Sequence, residues 1–328
     1  MSKFPVRRSP LRPAVKQPRI GLALGGGGAR GIAHILTLEV FDELGIRPSI
    51  ITGTSIGAIY GAAYASGLSA AYIRAHTEEV LSQRLDLVRQ LVSARAQPVQ
   101  KLFNLFPLRT AGLLSAEAVL DRLLPPRLPA TFAGLPIPLA IVATDFHAQE
   151  ALLVREGVLK TAVAASMALP ALFEPVSLGG RSLIDGGLVN PLPFDLITPA
   201  EADLIIAIDV SGGARDEEGA SPGALEALFA STQILQRSIV REKLKSIRPD
   251  IYIDSTVERF HMLEFHKFRD ILKSALPAKD MLKRQLERVL AAETIAEAPA
   301  LPEPPQAGQP AIKKKRRLLL PVRRKPRL

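Results

Sequence analysis

The chain of 328 residues has no cysteine and no tryptophan. Without cysteine it can hold no disulfide framework, thiolate zinc site, iron–sulfur cluster or cysteine nucleophile. A cytoplasmic address is compatible with that absence. Aromatic residues are only 5% of the total, so the interior has to be aliphatic. The hydrophobic share of 47% and charged share of 23% are those of an ordinary globular protein. They exclude a mostly disordered chain, a collagen and a polar low-complexity protein. The length allows one large domain or two ordinary ones.

Acidic residues are missing from both ends. Residues 1–20 carry six basic side chains and no acid, and residues 313–328 carry nine and no acid. The other 27 basic residues and all 32 acids lie between positions 21 and 312, a net of −5, so the total of +10 comes from the tails. The high isoelectric point therefore does not indicate a nucleic-acid groove on the folded body, and no specific nucleic-acid partner is expected. The tails read as solvated extensions, as segments drawn to anionic lipid, or as nonspecific nucleic-acid contacts. Five of the 27 prolines fall between Ala298 and Ile312, which reads as a semi-extended linker. The expected organisation is a basic disordered extension over 1–17 and a folded body over 18–295. Its core motifs fall in 21–210 and a helical part in 222–295. A linker and basic tail over 296–328 follow.

The longest stretch without charge runs from Pro48 to Ile73, long enough to span a bilayer. Gly, Thr and Ser recur through it and divide it into shorter pieces, so it reads as soluble core. No apolar segment follows the basic N-terminus, as a signal peptide requires. The expectation is a cytoplasmic protein with no signal peptide or transmembrane helix, whose tails can touch an anionic membrane peripherally.

Short apolar runs read as buried strands at Arg19–Leu24, Ser49–Thr52, Pro138–Thr144, Leu183–Ile184, Asp203–Val210 and Ile251–Ile253. Helical spacing marks Ile32–Leu44, the segment after Gly57 to about Ser66, residues 70–123 with breaks at Pro98 and Pro107, Lys160–Ala168, Ala224–Ile247 and Arg259–Ala292. Alternating strands and helices predict an α/β fold with a mostly parallel sheet.

Three motifs carry chemistry. Gly53-Thr54-Ser55-Ile56-Gly57 is a G-x-S-x-G between a predicted strand and a predicted helix. In that context the Ser sits on a sharp turn with its hydroxyl presented, and the flanking glycines relieve crowding. The second is Gly25-Gly26-Gly27-Gly28-Ala29-Arg30-Gly31, also between a strand and a helix. Its N–H groups could meet a dinucleotide pyrophosphate, a nucleotide phosphate or the oxyanion of an acyl-transfer intermediate. The second strand ends without the acid that a dinucleotide site expects, and no Lys-Ser or Lys-Thr follows the glycines, so the nucleotide readings are disfavoured. The third is Asp185-Gly186-Gly187, by itself a common turn. Ser55 needs a base, and none of His34, His76, His147, His261 and His266 lies in a motif like the His loop of a triad hydrolase. A partly desolvated carboxylate can serve instead. Asp145, Asp185 and Asp209 all stand near the ends of predicted strands.

In this order the three motifs, with the block Ala165-Ser166-Met167-Ala168-Leu169-Pro170, resemble the patatin-like phospholipase family over residues 18–210. A weaker similarity lies around Phe265-His266-Lys267-Phe268. The resemblance implies a three-layer α/β/α patatin-like fold and a Ser–Asp dyad without histidine. Carried onto this chain, Ser55 is the nucleophile on an elbow of Gly53, Thr54, Ile56 and Gly57. Asp185, with Gly186 and Gly187, is the base, and Gly26, Gly27, Gly28, Arg30 and Gly31 line the oxyanion hole. It implies hydrolysis of a phospholipid, lysophospholipid or other lipid ester, in lipid catabolism, with no metal and no cofactor. The alternative is a regulatory or interaction protein that keeps the fold with little hydrolysis.

Overall fold

In the computed structural model, residues 18–83, 114–213 and 223–296 are described. Residues 1–17, the C-terminal basic tail, the proline-rich linker and the predicted breaks at Pro98 and Pro107 lie outside these residues, whereas Arg19 lies within them and pairs with Asp203. The strands are β1 (Ile20–Leu24), β2 (Ile50–Thr54), β3 (Leu139–Asp145), β4 (Glu150–Val154), β5 (Val176–Leu178), β6 (Arg181–Asp185), β7 (Leu204–Asp209) and β8 (Ile251–Asp254). The helices are α1 (His34–Glu43), α2 (Ile56–Ala65), α3 (Ala70–Gln83), α4 (Ala116–Leu123), α5 (Leu159–Met167), α6 (Ala224–Ser246), α7 (Phe268–Ser274) and α8 (Leu276–Ala296).

All eight strands join one sheet in the order β5-β6-β3-β2-β1-β7-β8, with β4 also paired to β3. From β3 to β8 the ladders are parallel, whereas β4, β5 and β6 pair antiparallel. The central strands are buried on both faces, which is why they read as apolar runs rather than alternations. Leu22, Leu24, Ile206, Ile208, Ile251 and Ile253 point into the large core formed with α1, α2, α3 and α8. Their neighbours Ala23 and Ala207, with Ile50, meet a smaller cluster with Leu192, Phe194 and Val240 of α6 on the opposite face. Helices thus cover both faces of a mixed sheet, giving the three-layer α/β/α arrangement.

Local rules set several boundaries. Gly45 follows α1 with φ +64°, and the N–H groups of Gly45 and Ile46 return to Asp42 O and Phe41 O, a Schellman close. The charge-free stretch from 48 to 73 resolves into β2, α2 and the start of α3. Among the described residues no helix is long and apolar enough to cross a membrane. The helix predicted over Ile32–Leu44 is preceded by a 3-10 segment, Gly28–Ala33. The helix predicted over Arg259–Ala292 is three pieces: a 3-10 turn at Phe265–Lys267, then α7, then α8. Pro277 lacks an N–H and is tolerated only in the first turn of a helix, so α8 starts beside it.

The glycines around the predicted elbow are set by close approach. A Cβ on Gly57 would lie 2.1 Å from Leu24 O, the backbone of a central strand that cannot yield. Gly57→Ala is expected to destabilise the fold by about 2–3 kcal/mol or more in a urea melt. Gly45→Ala, whose added methyl would meet nothing within 4 Å, carries only the positive-φ penalty, about 1 kcal/mol. Equal losses in the two variants would show that close approach does not set position 57.

Candidate active site

The site is created on one edge of β3. β2 pairs with it as far as Thr54 opposite Val142. β4 pairs with Ile141–Asp145 and so occupies the other edge. β6 pairs with Ala143–Asp145 and must therefore share the edge of β2, arriving from the opposite direction. The carboxyl ends of β2 and β6 meet head to head, with Thr54 opposite Val142 and Asp185 opposite Ala143. Ser55 is the next residue after β2. Its Oγ donates to Asp185 Oδ2 at 2.7 Å, joining residues 130 apart in the chain.

Ser55 sits at φ 54°, ψ −120°, a conformation that side chains rarely adopt. Such backbone costs about 1–3 kcal/mol and persists only where its surroundings hold it. Here Ser55 N–H donates to Ser166 Oγ at 2.8 Å, and Ser166 Oγ donates to Val142 O at 2.6 Å. Gly26 packs against the Ser55 side chain, since a Cβ there would lie 3.4 Å from Ser55 Cβ. Thr54 Oγ1 donates to Asn190 O at 2.9 Å, fixing the end of β2 from the other face. Ile56 starts α2, so Ser55 stands at the N-terminus of a wholly buried helix.

Asp185 is buried, at 3% exposure. Its Oδ1 accepts from Gly187 N–H at 2.7 Å, its N–H donates to Ala168 O, and its carbonyl accepts from Thr144 Oγ1 at 2.8 Å. Burial pushes its carboxyl up to about 6, against the opposing pull of the Ser55 and Gly187 hydrogen bonds. A Cβ on Gly186 would lie 2.1 Å from Val142 O, so only glycine lets the chain turn away behind the carboxylate.

The glycine-rich loop divides by the use of its amides. The N–H groups of Gly25, Gly26 and Ala29 donate to Ile208 O, Pro191 O and Met262 O. Those of Gly27 and Gly28 have no acceptor among the described residues. Gly28 has φ +60°, and the space for a Cβ is taken by Met262 O at 2.3 Å. Arg30 is buried and donates through Nε to Gly27 O at 3.2 Å. Gly31 allows the 3-10 segment to touch Ile56, which a Cβ would meet at 2.2 Å. His34 lies beneath the loop with Nε2 2.8 Å from Gly25 O. Because that partner is a carbonyl, Nε2 must carry the proton. Burial lowers the imidazole to about 4, so it is neutral near pH 7.

The other acids stand elsewhere. Asp145 accepts from the N–H groups of His147 and Ala148 and from Arg181, and closes the turn after β3. Asp209 accepts from Ser211 N–H and Tyr252 OH. No histidine ring is bonded to Ser55 or Asp185; His76, for example, bonds Leu123 O. The hydroxyls of Ser166 and Thr144 also hold the site, and the sequence carries no signal for either role. Ser166 lies inside the Ala165–Pro170 block, but nothing in its own neighbours announces that its hydroxyl will hold Ser55 N–H.

A mostly apolar pocket lies along α2 from Ile56, the residue after Ser55, and neither Ser55 nor Asp185 lines it. Ile56, Ile59, Tyr60 and Ala63 of α2 form one wall, with Ile73, Thr77 and Leu81 of α3, Leu123 and Phe265 completing it. Tyr60 is hydrogen-bonded to Thr77, and its hydroxyl is pushed up to about 12 by burial, so the wall carries no charge from it.

An uncharacterized NTE family protein of Mycobacterium tuberculosis is 38% identical over 207 residues, covering 61% of this chain and 52% of the relative. Patatin-like phospholipase domain-containing protein 7 of Rattus norvegicus is 34% identical over 202 residues, covering 60% of this chain and 14% of that one. The chain thus spans about half the length, or less, of these curated relatives. Among solved structures, VipD from Legionella pneumophila aligns over 82% of this chain and 67% of its own, with a TM-score of 0.43 and 15% identity. Residues 22–197, more than half of the chain, match the family model for patatin-like phospholipase. With that match over the strands, loops and turns just described, the chain belongs to the patatin-like phospholipase family.

Proposed function

We propose that the protein is a serine acyl hydrolase acting on phospholipid, lysophospholipid or another lipid ester through a Ser55–Asp185 dyad. The observation that carries this reading is the 2.7 Å hydrogen bond from a conformationally strained Ser to a buried carboxylate. Asp185 accepts the Oγ proton as Ser55 attacks the ester carbonyl. The N–H groups of Gly27 and Gly28 receive the oxyanion, aided by the N-terminal end of α2. The tetrahedral adduct collapses, and the alcohol or lysolipid leaves with the proton from Asp185. Water, deprotonated by Asp185, then attacks the acyl-enzyme, and as the adduct collapses Asp185 returns the proton to Ser55 Oγ and the fatty acid leaves. Gly26, Arg30 and Gly31 shape the loop, because the Gly26 N–H is spent on Pro191 O and Gly31 serves close packing. The acyl chain enters the pocket along α2, and the basic tails add attraction to anionic lipid.

Raising a carboxyl toward 6 makes it a stronger base than an exposed aspartate, while it stays ionised near pH 7. That placement costs stability, and the sign is fixed. The folded chain holds the Asp185 proton more tightly than the unfolded chain does. Between pH 4 and 6 the unfolded state has released it and the folded state has not, so stability falls as pH rises through that window. A shift of about two units is worth about 3 kcal/mol above it.

Four outcomes test the proposal. Ser55→Ala and Asp185→Asn should each lose at least about 10³-fold in kcat on p-nitrophenyl esters with circular dichroism unchanged. Activity that survives Ser55→Ala would remove Ser55 as nucleophile. The acid limb of kcat/KM should fall near pH 6 in the wild type; a limb near pH 4 would mean that Asp185 is not the base. Asp185→Asn should be more stable than wild type at pH 8 by up to about 3 kcal/mol, with the gain vanishing below pH 4. Ala63→Leu, filling the pocket two turns along α2 from Ser55, should shift the preferred ester to shorter chains and leave acetyl-ester turnover unchanged. An unshifted chain-length profile would place the acyl group elsewhere.

A further inference from the structure

The helix α6 has two unlike faces. Its inner face meets the loop behind the proposed base. Gln236 is buried, and its Nε2 lies 2.5 Å from where a Gly187 Cβ would stand. Val240 enters the smaller core, and Lys243 donates to Asp195 Oδ1 at 2.7 Å and to Leu192 O. The outer face carries Ile234, Leu235 and Leu228 at 68%, 60% and 49% exposure. At 100° per residue these three fall within one third of the helix circumference, with Ser231 and Ser238 between them. Scattered exposed aliphatics need no explanation, but three on one stripe of one helix form a patch.

Position and charge say what covers it. The chain reaches α6 from the carboxyl end of β7, the edge of the sheet at which the glycine loop and Ser55 lie, and β8 runs parallel to β7. The N-terminal half of α6 therefore lies at the edge of the dyad. Residues 227–236 contain no charged side chain, whereas 237–248 contain Arg237, Arg241, Lys243, Lys245 and Arg248 against the single acid Glu242. Arg241, Lys245 and Arg248 are exposed. Exposed aliphatics with exposed cations beyond them on the same helix and just past its end suit the interface of an anionic bilayer. A protein partner of unspecified chemistry would not call for both parts in that order.

We propose that the outer face of α6, through Leu228, Ile234 and Leu235, is a lipid-docking surface that sets the dyad edge of the sheet against an anionic bilayer. The docking rests on the lipid-hydrolase reading for its purpose. With α6 seated, the loop of Asp185 to Gly187 lies about one helix diameter, ~10 Å, beneath the docked face, and the pocket along α2 lies on the other face of the sheet, reached past the dyad edge. Aliphatic insertion sets the depth, and Arg241 and Arg248 meet the headgroup phosphates, Lys245 being paired with Glu242.

The absence of tryptophan gives a clean reporter, because Ile234→Trp would be the only indole in the chain. In a Ser55→Ala background, which leaves lipids intact, the full chain is mixed with vesicles of phosphatidylglycerol and phosphatidylcholine. The expected result is a blue-shifted emission quenched by brominated acyl chains, with little change on pure phosphatidylcholine. The triple variant Leu228→Ser, Ile234→Ser, Leu235→Ser should bind the anionic vesicles about tenfold more weakly or worse, with hydrolysis of a soluble acetyl ester unchanged. Sedimentation with vesicles while the indole emission stays fixed would mean that the tails alone bind, and would overturn the proposal. So would failure to bind, or an indole already buried without lipid in a dimer seen by light scattering. Loss of all ester hydrolysis in the wild type would sink the hydrolase reading instead, and the indole result would still stand or fall by itself.

Discussion

The hydrogen-bonded edge of β3 is the constraint on which the site depends. Ser55 and Asp185 have no local reason to meet. They meet because β2 and β6 occupy successive stretches of one strand edge from opposite directions, so their carboxyl ends stop one rung apart. A strand rises about 3.3 Å per residue and alternates its faces, so a slip of one rung in either ladder turns a side chain to the wrong face. The 2.7 Å contact is thus a statement about register before it is one about chemistry. β4 on the other edge of β3 and the Ser166 hydroxyl on Val142 O hold that register from two further sides.

Each component of the site is unfavourable by itself. Ser55 is strained, Asp185 is a buried carboxylate, and His34 is a buried imidazole whose Nδ1 has no partner among the described residues. These costs are borne by the aliphatic interior on both faces of the sheet. Close packing of many Ile, Leu, Val and Ala side chains, with a few aromatics such as Phe41, Tyr64 and Phe194 among them, provides that surplus. The glycines carry the other half of the arrangement. At 57 and 186 they let backbones approach to distances at which a single methyl could not fit.

The legible parts of the sequence were those written locally. Short apolar runs mark β1, β2, β3, β7 and β8, and the three motifs mark Ser55, Asp185 and the glycine loop. What was not legible depends on partners distant in the chain. β4 is largely exposed and β5 is three residues long, so neither has a burial pattern, and both exist through pairing with β3 and β6. Ser166 is a small residue in an alanine-rich helix, and its bond to Ser55 N–H follows from how α5 crosses the sheet. The division of labour among the glycines was equally hidden. A run of four identical residues cannot say which amide is spent on Pro191 O and which stays open.

The absence of charge between Pro48 and Ile73, which at first suggests a membrane span, has a different physical meaning in the fold. α2 lies inside this stretch, and every one of its residues is buried. An amphipathic helix would present a charged face to water, and water would screen the partial positive charge of its N-terminal N–H groups. α2 has no such face, so the field at its start acts through a medium of low polarisability, where a given charge counts for more. Ser55 stands at that start, and the same buried helix lines the pocket through Ile56, Ile59 and Ala63. In the proposed reaction this one uncharged helix serves two requirements. Its buried positive end faces the place proposed for the oxyanion, and its apolar side lines the pocket proposed for the acyl chain. A single lysine or glutamate in its middle would damage both, which accounts for a composition that looks like a membrane segment in a helix that never leaves the core.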